Sequence, residues 1–255
     1  MKIIQIPSLK DNYIWILYNE NRECLIVDPG NSEVVIKNLI NFKLIPIAIF
    51  LTHHHCDHIN GVQNIVKFYK NQIFIYGPKE ILNIHNVNLH IVHEGCYINV
   101  LNINFKVLNL PGHTKNHIGF YSKPWLFCGD VLFSAGCGRI IEGTSVQMFN
   151  SIKKIYNLPL NTIICIAHEY TLQNLNFALT ILPNDKEIIN YKKHVNFLLS
   201  NNKLIFPIFL HVEYKVNIFL RINDISLQEK LNINKNTSNI EFKIFKYLRY
   251  LKDKF

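Results

Sequence analysis

The sequence predicts a layered α/β domain over residues 1–170, followed by a small helical domain over residues 171–255. Three observations carry this. Short β-type runs dominate the first two thirds, helical spacing appears in segments between them, and after Tyr170 the texture becomes longer, more polar and poor in turn signals.

In chain order the β-type runs are IIQI, YIWILYN, ECLIVDP, IAIFLT, QIFIYG, FKVLNL, IGFYS, WLFCGD and TIICIAH. Residues 61–70 place Val62, Ile65, Val66 and Tyr69 on one helical face, and residues 145–158 do the same with Val146, Phe149, Ile152 and Ile155. The Asn-rich NIHNVNLH patch reads as surface loop. Beyond residue 171, TLQNLNFALTIL, KEIINYKKHVNFLLSN, DISLQEKLNI and SNIEFKIFKYLRYLKDKF read as helices. There are no internal repeats.

Composition narrows the class. With 49% hydrophobic and 18% charged residues, the 255-residue chain can bury a sizeable core. No apolar run is long enough to span a bilayer, and Lys10, Asp11 and Asn12 interrupt the apolar start that a signal peptide would need. A cytoplasmic protein without a membrane partner is expected. The six cysteines form no C-x-x-C pair and sit mostly in apolar stretches, as small buried thiols in a reducing compartment do. A net charge of +9 invites a nucleic-acid partner. The lysines are scattered rather than striped, however, and Ile, Asn and Lys are abundant throughout, so compositional drift accounts for the charge better and no nucleic acid is expected.

The chemistry concentrates in Thr52-His53-His54-His55-Cys56-Asp57-His58, directly after the apolar run IAIFL. A strand that ends in such a loop leaves these side chains at a rim. Two-residue spacing in extended backbone puts His53 and His55 on one side, suited to one metal. Asp57 and His58 diverge as the chain turns into the following helix, suited to a second. So many imidazoles and a carboxylate would be costly to bury without partners. His113 in LNLPGHT, Asp130 in LFCGD and His168 in IICIAHEY each close a β-run as well. A lone histidine after a strand is usually just a satisfied polar residue; the repetition of one context makes these a set. His54 reads as a surface or supporting residue and His117 as a partner that orients His113. His85, His90, His93, His194 and His211 read as surface or loop residues.

H-x-H-x-D-H, then P-G-H-T, G-D and a later histidine resemble the metallo-β-lactamase superfamily. That resemblance implies an αββα sandwich with two divalent metal ions at one edge. Carried over by position, His53, His55 and His113 hold one metal, Asp57, His58 and His168 the other, and Asp130 bridges them. Zinc is the expected metal, with iron or manganese as alternatives. Asn60 and Asn116 stand where the superfamily has glycine, which predicts left-handed backbone that asparagine tolerates next best. Ala135 replaces another common glycine.

Within the superfamily, FSAGCGRIIEGT, HEYT, NIFLR and the tail Arg249-Tyr-Leu-Lys252-Asp253-Lys-Phe255 resemble the glyoxalase II family. The resemblance implies hydrolysis of S-D-lactoylglutathione to D-lactate and glutathione by a metal-bridging hydroxide that Asp130 orients, the second step of methylglyoxal detoxification. It also implies glutathione contacts from Arg139, Tyr170, Arg249 and Lys252. The bland alternative for the last two is a basic face on a terminal helix. Ile141 occupies a position that in some members carries a glutathione-binding tyrosine. The chain is expected to act as a monomer. Three rival functions are distinguishable. A single-iron dioxygenase of the same superfamily is told apart by metal count. A nucleic-acid enzyme is disfavoured because no extra domain follows the motifs, and a non-catalytic metal binder because the ligand set is complete.

Overall fold

A computed structural model describes residues 1–70, 73–81, 87–233 and 238–255. His85 lies outside the described residues. Two sheets stack face to face. The first has the order β1 (Lys2–Ser8), β2 (Asn12–Tyr18), β3 (Glu23–Val27), β4 (Ile45–Phe50), β5 (Phe74–Gly77) and β6 (Asn88–Ile91). It is antiparallel from β1 to β3 and parallel from β3 to β6. The second sheet, counted from its far edge, places β13 (Ile163–Cys165) beside β10 (Trp125–Phe127), β9 (Ile118–Ser122), β8 (Ile103–Asn109) and β7 (Tyr97–Val100). In the sequence between β10 and β13 the chain forms a separate hairpin with two residues per arm, β11 (Leu132–Phe133) and β12 (Gly136–Cys137).

Helices cover the outer faces. On β2, Ile14 and Ile16 point to one side with Ile26 and Ile49, against Val35 and Leu39 of α1 (Ser32–Phe42) and Val62 and Ile65 of α3 (Val62–Tyr69). Trp15 and Leu17 point to the other, joining Phe50, Phe105, Phe120 and Phe127 between the sheets. This two-sided burial is why β2 reads as an unbroken apolar run instead of an alternating one. Each fully buried aliphatic side chain contributes about 1.5–3 kcal/mol. Phe50 stacks on Phe120 at 4.2 Å and meets Phe105 edge-on at 5.1 Å, which fixes the two sheets against one another. The α4 helix (Ser145–Tyr156) begins at a capping box between Thr144 and Gln147 and buries Phe149, Ile152 and Ile155. The expected αββα sandwich is therefore present.

From Thr171 onward the described elements are helices: α5 (Thr171–Ile181), α6 (Lys186–Ser200), α7 (Leu210–Val216), α8 (Ile225–Lys230) and α9 (Ile240–Lys254). Phe245 of α9 packs on Phe149 and Phe219, so the sandwich core continues into this region. No helix among the described residues is long and apolar enough to cross a membrane.

Several elements differ from the sequence reading. Asn88–Ile91, which overlaps the end of the Asn-rich patch read as loop, is an edge strand whose backbone pairs with β5. Being mostly exposed, it needs no apolar pattern. Strand β7 and helices α1 and α7 were also not anticipated, and the turn after the histidines begins earlier, in the four-residue α2 (Cys56–Ile59). Asn60 is right-handed helical and Asn116 is absent from the positive-φ positions, so left-handed backbone is not what makes those two sites special. Ala135 is the strained one, at φ 57°. Ala135→Gly is expected to stabilise the fold by roughly 0.5–1 kcal/mol, the relief of left-handed strain exceeding glycine's entropic cost. Thermal melts compare the two; an unchanged or lower Tm would mean that the neighbouring contacts absorb the strain.

Candidate metal centre and substrate cleft

The C-terminal ends of five strands converge on one edge of the sandwich. Strand β3 delivers Asp28, β4 delivers Thr52 and the histidine loop, β8 leads to His113, β10 to Asp130 and β13 to His168. The backbone N–H of Ile118 donates to the Thr52 carbonyl at 2.9 Å, tying the His113 loop to the histidine loop across the two sheets. Gly129 makes the last approach possible. At φ 48° it presents no side chain where a Cβ would lie 2.4 Å from Thr52 Oγ1 and 2.7 Å from His117 Nε2.

All seven residues anticipated as ligands meet here. His53, His55 and His113 form one group able to hold a metal ion, Asp57, His58 and His168 a second, and His53, His58 and Asp130 lie between. Asp130 faces both sides: Oδ2 is 3.3 Å from His113 Nε2, and Oδ1 is 3.4 Å from both His58 Nε2 and His168 Nε2. His53 Nε2, His58 Nε2 and Asp130 Oδ1 are buried without hydrogen-bond partners. Orphaned polar atoms of this kind are unfavourable unless a cation satisfies them. The donor set of imidazoles and carboxylates thus fits a dinuclear metal site.

The electrostatics agree with metal binding. Burial and the neighbouring imidazoles of His58 and His117 hold His53 well below the ordinary histidine range, in the neutral form that coordinates. Burial works to raise Asp130, but the imidazoles of His58 and His168 hold its carboxyl well below the usual carboxylate range. Burial also opposes protonation of His168, yet the carboxylates of Asp130 and Asp57 beside it, each 3.4 Å from Nε2, push it up to about 10.

A supporting shell orients the rings, and most of it was not singled out in the sequence. Asp28 accepts from the Thr52 backbone N–H at 2.8 Å and the Thr52 hydroxyl at 2.7 Å, and lies 3.1 Å from His58 Nδ1. Asp11 accepts from His168 Nδ1 at 2.7 Å, which turns Nε2 toward the site. Asn12 donates to Asp57 at 2.8 Å. The Arg139 carbonyl accepts from His113 Nδ1 at 2.9 Å. That role was expected of His117, which instead stacks on His53 at 4.7 Å and accepts the Asp130 backbone N–H at 3.2 Å. His54 is half-buried between Glu80 and Glu142, at 3.2 and 3.1 Å. Glu80 also accepts from Asn116 and Thr114, both at 2.8 Å, so Asn116 braces the loop through its side chain. A signal for Asp28 was present in ECLIVDP, where an aspartate closes a strand just as Asp130 does.

Five of the anticipated ligands, His55, Asp57, His113, Asp130 and His168, form the floor of a cleft of about 440 Å³ whose walls include Arg139, Ile141, Tyr170, Arg249 and Lys252. The four anticipated glutathione contacts all line it, with different local partners. Arg139 is exposed. Lys252 Nζ sits over Phe177 and Phe255, at 5.2 and 4.9 Å from their ring centres, and donates to the Gln173 carbonyl at 3.4 Å. Arg249 is buried and already engaged, with Nη2 2.8 Å from Asp253 and Nη1 donating to the Cys137 carbonyl at 2.9 Å. Tyr170 stacks on His168 at 5.1 Å with its hydroxyl 3.3 Å from His168 Nδ1.

Comparison with known proteins agrees with this architecture. The model of the metallo-beta-lactamase superfamily matches residues 11–168. The structure of the BLEG-1 B3 metallo-β-lactamase aligns with a TM-score of 0.58 at 28% identity, over 66% of this chain and 91% of that one. The chain belongs to the metallo-β-lactamase superfamily. The model described as hydroxyacylglutathione hydrolase C-terminus matches residues 169–255. Hydroxyacylglutathione hydrolase from Serratia proteamaculans is 46% identical over the whole of both chains. That of Baumannia cicadellinicola is also 46% identical, over 100% of this chain and 97% of the relative. Within the superfamily, this chain is a member of the hydroxyacylglutathione hydrolase family.

Proposed function

We propose that the protein hydrolyses S-D-lactoylglutathione to D-lactate and glutathione, the second step of methylglyoxal detoxification. The observation that carries this is the placement of Asp130. Its two oxygens face two ligand groups at the floor of a cleft whose rim holds Arg139 and Lys252. His53, His55 and His113 would hold one divalent ion, Asp57, His58 and His168 the other, with Asp130 between them. Zinc suits the mixed imidazole and carboxylate donors, as do iron and manganese. Bound there, the two ions supply Lewis acidity, lowering the pKa of water from about 15.7 toward ~7 and polarising the thioester carbonyl.

The chain's own groups do the rest. Asp130 orients the attacking oxygen, and Asp11, Asp28 and the Arg139 carbonyl keep the three rings they touch from rotating. The departing thiolate has an ordinary pKa of roughly 8.5, so expulsion needs no strong general acid. Arg139, Arg249 and Lys252 supply the cationic groups that complement the two carboxylates of glutathione, and Tyr170 lines the same cleft. We divide the labour at residue 170: residues 1–170 carry the metals, and residues 171–255 bind glutathione. One chain supplies every group of the site, which is compatible with the proposed monomer. Its six free thiols suit the reducing cytoplasm.

A substrate comparison tests this reading. S-D-lactoylglutathione should be cleaved with release of free thiol and D-lactate, whereas the lactoyl thioester of a small neutral thiol should show a far higher KM. Equal KM for both would show that the cleft does not recognise glutathione.

Ile141 lines the same cleft and is 59% exposed, so a ring placed there meets little packing resistance. Ile141→Tyr is expected to lower KM several-fold with kcat nearly unchanged, by gaining one neutral hydrogen bond of about 0.5–1.5 kcal/mol. A variant of unaltered Tm and unaltered KM would place residue 141 away from the bound thioester.

A further inference from the structure

The helical region contributes a buried carboxylate that neither the metal site nor the cleft uses directly. Glu213 of α7 is fully buried, and among the described residues no cation pairs with it. Its Oε1 accepts from the Ser134 hydroxyl at 2.7 Å. Its Oε2 accepts from the Ala135 backbone N–H at 2.7 Å and from Asn217 Nδ2 at 3.0 Å. Asn217 Nδ2 also reaches the Gly136 carbonyl at 3.1 Å, and Asn174 Nδ2 donates to the Ser134 carbonyl at 3.0 Å. At Gly136 a Cβ would lie 2.5 Å from the Asn174 amide, so the turn is pressed flat against α5.

These contacts converge on residues 133–136, the turn between β11 and β12, and hold Ala135 in a conformation alanine adopts unwillingly. The residues just beyond the turn reach the cleft. The Cys137 and Gly138 carbonyls accept from Arg249 Nη1, at 2.9 and 3.5 Å. Arg139 comes next, with its carbonyl on the ligand His113. A misplaced turn therefore shifts two cationic walls of the cleft. A carboxylate without a counter-ion is a poor choice for stability alone; burial pushes Glu213 up to about 7, although the three donors pull the other way.

We propose that Glu213 is a positioning residue for thioester binding. Through the 133–136 turn it fixes the carbonyls that hold Arg249 and the backbone that sets Arg139 at the cleft rim. The role rests on the reading of the cleft as the glutathione site.

The test uses the metal-loaded full-length enzyme and S-D-lactoylglutathione. Glu213→Leu removes every acceptor. It should keep two metals per chain and leave kcat within about twofold, while KM rises roughly five- to tenfold, because the lost geometry concerns binding and not the reacting carbonyl. Glu213→Gln can still accept from Ala135 and Asn217 while donating to Ser134, whose hydroxyl then turns to Tyr191, 3.1 Å away; it should bring KM back to within about twofold. Should Glu213→Leu fail to fold, Ser134→Ala removes the Oε1 contact alone and should raise KM about two- to threefold. A lowered Tm with unchanged KM in the folded variants would overturn the proposal and leave Glu213 a stabilising residue only. Lys252→Ala serves as the control for the cleft itself. Unchanged KM in that variant would overturn the glutathione reading, and this role with it; a raised KM there with none in the Glu213 and Ser134 variants would overturn this role alone.

Discussion

Asp130→Asn should abolish thioester hydrolysis while leaving the protein folded. The side chain is buried, and its two oxygens face two different groups of imidazoles. Asparagine has the same shape, so the sandwich core does not notice the change. It has only one acceptor oxygen and no charge, and its NH₂ must face one ligand group or the other. Both metal positions then lose a shared anionic donor, and one of them gains hydrogen atoms pointing into it. Losing one preorganised polar group at a reacting centre typically costs about 10²–10³ in kcat, and the loss here falls on both metal positions, so a drop of at least ~10³-fold is expected. Metal content should fall below two per chain, with the far-ultraviolet circular dichroism unchanged. Near-normal activity with two metals bound would show that Asp130 does not bridge.

The second large effect concerns substrate affinity. Replacing Arg249 and Lys252 together by alanine should raise KM for glutathione thioesters at least tenfold and leave kcat within about twofold, since both act on a remote part of the substrate. The two contribute differently. Lys252 is a half-buried ammonium facing the cleft, and a charge-assisted contact of this kind is worth about 1.5–3 kcal/mol. Arg249 is tied to Asp253 and to the Cys137 carbonyl, so its removal also loosens the β11–β12 hairpin. Unchanged KM would return the tail to an ordinary basic helix face. Lys252 adds a pH signature. Burial, reinforced by Arg249, brings it down to about 8. The ammonium is present below that pH and lost above it, so KM should rise as pH passes 8. Lys252→Arg keeps its charge at any working pH and should lack that rise. Comparing the two enzymes cancels the ionisations of the substrate itself.

The metal site was legible in the sequence because its chemistry is local. Six residues after β4 carry four of the seven anticipated ligands, and the other three, His113, Asp130 and His168, each follow a strand. A strand end is where a side chain leaves the sheet for the rim, so repetition of that context announced convergence before any strand order was known. The parts that stayed hidden depend on contacts distant in sequence. Asp11 holds His168 from 157 residues away, and nothing in LKDNY distinguishes a supporting carboxylate from a surface one. The same holds for Glu213, whose partners Ser134 and Ala135 are 79 and 78 residues distant. Strand β6 was invisible for another reason. Its residues are mostly exposed, and backbone pairing with β5 makes it a strand without any help from hydrophobic alternation. The engagement of Arg249 with Asp253 was within reach, since the two are four apart on one helix and therefore neighbours. The motif directed attention to the substrate instead.

The central proposal is that the chain hydrolyses a glutathione thioester with two metal ions that seven residues from four loops would hold. It is tested most directly by stripping the protein with a chelator and adding back zinc in measured steps. Hydrolysis of S-D-lactoylglutathione is followed at each step, with bound metal counted in the same samples. Activity should be absent in the stripped protein and reach its plateau at two equivalents per chain, with Asp130→Asn failing to regain it at any ratio. A plateau at one equivalent, or full hydrolysis by the stripped protein, would contradict the account.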